Sequence, residues 1–520
     1  MGKGSIGGQI WFRDVDSNHD TQLQRLMSYR LDDPGTGPFS VADARKCSQA
    51  PPLALLSMLD TTAKNLQHWP LNTERLIQKT LKTCLVAGLF FILSAQVQSQ
   101  NTATSSDRMA LRAARMLDGK SETMVSNAVI LVEGGKITAV GSALAIPSNT
   151  KVIDLGDATL LPGLIDSHTH LLSEMDGTNV TLQDVEMLRI VATQSTAMRA
   201  LLGAKLGRED LEAGITTVRD LGNSGVNGDV ALRAAINHGW LPGPRIVAAT
   251  RALAAQGGQF GRLTPEAQSI IEQEYVTIKG PESARQAVRQ ALYDGANCIK
   301  VIVNGSPAHV TLDEMKAIVD EAHTAGVKVA AHAIGDKPTR IAAEAGVDSI
   351  EHAYVVPDDV LKVMAEKHIF LVPTDGTLQE FEDMSFGTRK PSAEEKSQFE
   401  KDFQGFVQQA QQRLQRAIKM GVPIAAGSDM YLTIPGKTRG QASLLLYEAY
   451  AEAGMKPIEI IRAATRNAAE LLVMQDRIGT LEAGKFADII AVPGDPLKDV
   501  KALEHARFVM KAGAVVKNEK

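Results

Sequence analysis

The chain has 520 residues, 44% hydrophobic and 22% charged, with 55 basic against 60 acidic side chains and a net charge of -5. That balance gives no electrostatic footprint for nucleic acid, and an aromatic content of 4% argues against base-stacking platforms. Cys47, Cys84 and Cys298 stand far apart with no Cys-x-x-Cys pair, so neither a thiolate zinc knuckle nor a disulfide framework is signalled, and any metal must be held by nitrogen and oxygen.

Residues 1–73 form a leader rich in polar and turn-forming types without clear periodicity, expected to be disordered. Residues 74–100 then follow the order of a secretory signal: basic Arg75, Lys79 and Lys82, the apolar stretch Cys84–Ala95, and a short polar end. Cleavage is expected near Ala95 or Ser99, giving an exported protein, periplasmic or secreted; without signal function the protein would be cytoplasmic. The apolar stretch is shorter than the ~20 residues a membrane helix needs, so no stable span would remain after cleavage. A buried core helix is the other reading. The leader is explained by a true start further on, near Met58 or Leu76, or by a fusion, and residues up to about 100 are set aside from the fold. Removal of the segment would leave Cys298 alone, without an intramolecular disulfide.

From 107 to 159 short alternating strands are punctuated by glycine, with a hairpin through Gly134-Gly135 in Val129–Gly141. The same texture returns over 476–520, in 478–494 and 506–516. One small β-sandwich domain built from both chain ends is expected. Between them, 160–475 alternates strand and helix patterns over about the length of a (β/α)8 TIM barrel, which takes ~250 residues. The expected strands are 160–170, 214–220, 245–250, 298–304, 327–333, 349–353, 369–374 and 423–429. Helices are expected over 312–323 and 392–420, stopped by Gly326 and Gly421. The α/β class also leaves a doubly wound sheet open.

Five expected strands end in a metal-ligand type: His168 and His170 on the first, Lys300 on the fourth, His332 on the fifth, His352 on the sixth and Asp429 on the eighth. Residues two apart on a strand point the same way, so His168 and His170 can reach one ion. Barrel active sites lie at the C-terminal strand ends, where these residues would converge. Singly, each has an ordinary reading as a polar or capping side chain. His238, His309, His323 and His368 lack strand-end placement and are read as structural.

Taken together, Pro162-Gly163-Leu-Ile-Asp166-Ser-His168-Thr-His170, Lys300, His332, His352, Gly427-Ser428-Asp429 and the terminal Gly484-Lys485-Phe-Ala487-Asp488 resemble the amidohydrolase superfamily over residues 107–520, specifically its binuclear branch. The resemblance implies that Lys300 is carbamylated by carbon dioxide and bridges two divalent metals, usually zinc. One metal would take His168, His170, Lys300 and Asp429; the other would take Lys300, His332 and His352. An ammonium has no lone pair to offer a metal, whereas a carbamate has two oxygens. A metal-bridging hydroxide would then attack the scissile carbonyl, with Asp429 as the catalytic base.

Mononuclear deaminases of the same fold generally carry Glu three residues after the strand-five histidine, where this chain has Gly335, so hydrolysis is favoured over deamination. The motif spacing is most similar to imidazolonepropionase-related and prolidase-like members. These imply a dipeptidase, carboxypeptidase or N-acyl amino acid amidase, including ochratoxin-type substrates, with cyclic amide hydrolysis or a non-catalytic secreted binding barrel as alternatives. The expected partner is a small-molecule or dipeptide-like substrate, with no nucleic acid, and the protein is expected to be a homo-oligomer. Tyr354 is a candidate for holding a substrate carbonyl or carboxylate, or else packs at the rim. Arg219 is a candidate substrate-binding residue; with Asp220 it orients ligands or the two pair together.

Overall fold

The computed structural model describes residues 108–176, 183–260, 262–305 and 308–519. The leader, the signal-like segment, Cys47 and Cys84 lie outside the described residues; Cys298 is a buried free thiol. Among the described residues no helix is long and apolar enough to cross a membrane.

Strands from both chain ends share one eight-stranded sheet. Its order is Ala514–Asn518, Phe508–Lys511, Ile489–Pro493, Ala158–Pro162, Arg108–Met116, Val125–Glu133 and Lys136–Ser142, with Lys151–Asp154 also paired to Arg108–Met116. The hairpin turns at Gly134 and Gly135, whose φ values of 57° and 78° suit the tight two-residue turn that requires positive φ at both positions. Leu111, Ile130, Ile137, Leu160, Ile489 and Phe508 interlock on this sheet as one apolar cluster.

The rest is mixed α/β with parallel strands. Leu164–Thr169, Ile215–Asp220 and Arg245–Ala248 form a three-stranded parallel sheet. A six-stranded parallel sheet follows in the order Tyr275–Thr277, Ala252–Ala254, Cys298–Ile302, Lys328–Ala333, Ser349–His352 and Phe370–Val372. The first two of these six were not expected. At the adjoining edges Asn297 links the sheets: its N–H donates to Ala248 O at 2.9 Å, and Ala248 N–H donates to its Oδ1 at 2.6 Å. Leu164, Ile299, Val329, Ile350, Leu371 and Ile424 share the largest apolar cluster.

Two expected strands need correction. The stretch 160–170 is not one strand: Ala158–Pro162 pairs antiparallel with Ile489–Pro493, and Leu164–Thr169 pairs parallel with Ile215–Asp220. The chain changes sheets at Gly163, where an added Cβ would sit 2.3 Å from Thr216 Oγ1. Only a residue without a side chain permits that approach. The stretch 423–429 is not a strand but a connector that ends on Asp429 at φ 52°, with isolated parallel bridges of Ile424 to Leu371 and of the following Met430 to Thr169. Leu371 N–H donates to Pro423 O at 2.9 Å and Ala425 N–H to Leu371 O at 3.1 Å; on the other side Ser167 N–H donates to Ala426 O at 2.8 Å and Asp429 N–H to His168 O at 2.7 Å. Helices Leu312–Thr324 and Ala393–Lys419 begin at Thr311 and Ser392, each closing a capping box with a glutamate three residues on.

Asp488 ties the terminal sheet to the parallel strands. Its Oδ2 accepts from Arg245 Nη1 at 2.7 Å, its Oδ1 from Ala512 N–H at 2.7 Å, and its carbonyl from Gly163 N–H at 2.9 Å. Removing one partner of a buried ion pair leaves the other uncompensated, so Asp488→Ala is expected to cost about 3 kcal/mol of stability, measured by chemical denaturation; a loss within experimental error would contradict this role.

Candidate metal centre and active site

The parallel strands deliver their C-terminal ends to one place. His168 is fully buried, and its Nδ1 lies 2.8 Å from Glu351 Oε2. His170 Nδ1 lies 2.9 Å from Gly222 O, and His352 Nδ1 lies 2.8 Å from Thr374 Oγ1. Each of these Nδ1 atoms faces an oxygen acceptor, which assigns it the proton and leaves Nε2 with its lone pair. Asp429 Oδ1 lies 3.0 Å from His170 Nε2 and 3.3 Å from His168 Nε2. Lys300 Nζ lies 3.4 Å from His168 Nε2. The His332 ring centroid is 4.6 Å from that of His352, which is 5.0 Å from that of His168. All six expected ligand residues therefore meet at one centre.

Burial pushes the His168 and His352 imidazoles well below the usual histidine range and His332 to about 3, with the Lys300 charge adding to each shift. Burial likewise lowers Lys300 to about 8. Burial alone would raise Asp429, but the His168 charge, the bond and charge from His170, and Lys300 hold it below the usual carboxylate value. Burial thus opposes charge on the His168, His332 and His352 imidazoles, while the charges around Asp429 favour its ionised form.

The backbone is strained where it presents these groups. His352 and Asp429 have φ values of 69° and 52°, a left-handed region that ordinary residues occupy at a cost and that is enriched at functional sites. Gly427 brings the connector against the first strand; an added Cβ would lie 2.8 Å from His168 Cβ and 2.4 Å from Val372 Cγ1. Asp166 clamps the same contact. Its Oδ1 accepts from His168 N–H at 3.1 Å and Ser428 N–H at 3.0 Å, and its Oδ2 from Ser428 Oγ at 2.6 Å.

Arg219 is not a substrate-facing side chain. It is 1% exposed and donates to Ser167 O at 2.5 Å, Ser349 Oγ at 3.1 Å and Glu351 Oε1 at 2.9 Å. Its ion-pair partner is Glu351 rather than Asp220. Tyr354 is half-buried beside the centre, its ring 5.7 Å from that of His352, but its hydroxyl is engaged, donating to Thr374 O at 2.9 Å.

Sequence reading missed Glu351, Thr374 and Arg439. A strict period of two puts Glu351 on the opposite face from His352; the positive φ at His352 breaks that alternation, while Glu351 pairs in register with His332. Thr374, just past a strand end, offered only its position as a signal. Arg439 is remote in sequence, yet its guanidinium donates to Ser173 O at 3.2 Å, Thr169 Oγ1 at 3.1 Å and His170 O at 3.0 Å, and to Met430 O. It thereby ties the end of the first strand to the connector that carries Asp429.

The residues fit divalent metal. Nitrogen and oxygen atoms of His168, His352 and Asp429 lie within 4.8 Å of one another. His332 Nε2 is buried without a hydrogen-bond partner, a costly state for a polar atom that a cation relieves. Imidazole with carboxylate suits zinc and similar ions. Because Glu351 both orients His168 and neutralises Arg219, Glu351→Gln is expected to weaken zinc binding about 10- to 100-fold with the far-ultraviolet circular dichroism unchanged. Competition against a chromogenic chelator measures this, and wild-type affinity in the variant would contradict it.

Residues 159–516 match the family model described as the amidohydrolase family. Ochratoxinase of Aspergillus niger is 30% identical over 378 residues, spanning 67% of this chain and 73% of that relative. A Xaa-Pro dipeptidase with methionine bound in its active site superposes with a TM-score of 0.65 at 30% identity, over 78% of this chain and 99% of that one. A prolidase complexed with N-methylphosphonate-L-proline gives 0.67 at 26% identity, over 79% and 100% of the two chains. The chain belongs to the amidohydrolase family and is a hydrolytic enzyme.

Proposed function

We propose that the protein hydrolyses a peptide-like C–N bond, as a dipeptidase, carboxypeptidase or N-acyl amino acid amidase with ochratoxin-type amides in its range, and that it does so at a binuclear centre bridged by Lys300. The observation that carries this reading is the placement of Lys300. It is buried, in contact with His168 Nε2, and among the described residues no carboxylate lies within ion-pair distance of it. Burial disfavours its ammonium form, and the pull of the Glu351 and Asp429 charges, both beyond ion-pair distance, does not cancel that effect. Attack of the free amine on carbon dioxide forms an N–C bond, releases a proton and turns the side chain into an anion with two oxygens.

One metal would be held by His168, His170, Asp429 and the Lys300 carbamate, the other by His332, His352 and the same carbamate. When bound, the two ions, zinc by the nitrogen-rich donor set, supply Lewis acidity for the attacking water and the scissile carbonyl. Asp429, with its side chain 19% exposed and held ionised, takes the water proton and passes it to the leaving amine. His168 and His170 keep their Nε2 atoms aimed at Asp429 through fixed Nδ1 bonds, and His352 is held by its Nδ1 bond to Thr374. The polar links across Asn297 and on both sides of the 423–430 connector support closure of the parallel strands into a (β/α)8 barrel over 160–475. The segments 107–159 and 476–520 then form its β domain.

The substrate reading is supported by the ochratoxinase and Xaa-Pro dipeptidase relatives, and the dipeptidase's name points to an amide with an amino acid on the leaving side. Screening the zinc-loaded protein against Xaa-Pro, Xaa-Arg and Xaa-Phe dipeptides and N-acyl amino acids is expected to reveal turnover with about two zinc ions per chain. Asp429→Asn is expected to lower kcat about 10²- to 10⁴-fold while losing less metal than activity; near wild-type turnover in this variant would refute the assignment.

A further inference from the structure

Five of the chain's 13 phenylalanines lie on two adjoining helices, Leu378–Phe386 and Ala393–Lys419. On the longer helix Phe399, Phe403 and Phe406 recur at spacings of four and three and share one face. Further along that face come Val407, Ala410, Leu414 and Ala417, which are small or aliphatic and buried. Phe403 and Phe406 are only half-buried, as are Phe381 on the shorter helix and Tyr354. The longer helix therefore packs into the core by its C-terminal half and presents partly open rings from its N-terminal half.

These rings form a continuous path that begins at the metal centre. Tyr354 lies 5.7 Å from the His352 ring, Phe406 4.9 Å from Tyr354, Phe381 5.8 Å from Phe406, and Phe403 5.6 Å from Phe381. Phe381 also packs on the apolar cluster that contains Met430, the residue next to Asp429. On the other side of the centre the half-buried Tyr431 ring is 5.8 Å from that of His170. Because the Tyr354 hydroxyl is occupied by Thr374, what this wall offers is aromatic surface.

We infer that the wall of Tyr354, Phe406, Phe381 and Phe403 is a substrate subsite that receives an aromatic ring attached beside the scissile amide. This rests on the hydrolase reading above, and it names the substrate class within it. Rings pair edge-to-face or offset at such centroid distances and gain from leaving water together. A benzyl side chain on the amino acid to either side of the bond supplies the same chemistry, and the assay distinguishes the two.

The direct test is calorimetric titration of the zinc-loaded protein with L-phenylalanine and with L-alanine. Burying the extra ring is expected to make phenylalanine bind about tenfold tighter or more. In Phe406→Ala that advantage is expected to fall below about threefold, for the same loss of buried apolar area. Phe406→Leu, which keeps the packing apolar, reports the loss of ring preference if Phe406→Ala does not fold. Equal affinities in the wild type, or an unchanged advantage in a folded Phe406 variant, overturn the subsite. Hydrolysis of Ala-Phe and Phe-Ala identifies the side on which the ring sits. Failure to cut either, with the binding preference intact, refutes the hydrolase reading and leaves the aromatic subsite supported.

Discussion

The crowding of imidazoles around a buried lysine is the constraint on which the rest of the site depends. Three histidines have Nδ1 fixed by Glu351, Gly222 and Thr374, the Nε2 atoms of His168 and His170 meet at Asp429 Oδ1, and the fourth, His332, leaves Nε2 buried without a partner. Protonating His168, His332 and His352 is opposed by burial and by the Lys300 charge. Such an arrangement is poor packing for a metal-free interior, where buried polar atoms find partners. It is coherent for a site that receives cations.

Everything behind the centre holds that arrangement in place. Glu351 sits between Arg219 and His168, so a single carboxylate compensates a buried guanidinium and fixes an imidazole tautomer. Breaking such a buried pair is far costlier than its net stabilising effect, which makes the wall of the site rigid rather than simply stable. Asp166 and Arg439 do for the backbone what Glu351 does for the ring: both fasten the first strand to the connector bearing Asp429. The left-handed backbone at His352 and Asp429 persists because these bonds over-determine it.

Much of this was legible in the sequence because metal ligands must be particular residue types at strand ends. His168, His170, Lys300, His332, His352 and Asp429 could be picked out by type and position, the Gly134-Gly135 hairpin by its turn residues, and the two long helices by apolar spacing and their glycine stops. The break at Gly163 was hidden because its cause is a neighbour 53 residues on, Thr216, whose side chain admits no Cβ there. Glu351 was hidden by the period-two rule, which fails where the backbone turns left-handed at His352. Arg219 looked like a binding residue because a strand-end arginine has the right chemistry; only tertiary contacts reveal that its donors are engaged within the wall.

The central claim is that Lys300 serves as a bridging anion rather than as a buried ammonium. Magnetic resonance of the zinc-loaded protein prepared in isotopically labelled bicarbonate tests it directly, with Lys300→Arg as the reference. The account predicts a carbamate carbon signal in the wild type that is absent from the variant. Two bound zinc ions with no carbamate signal in the wild type would contradict it.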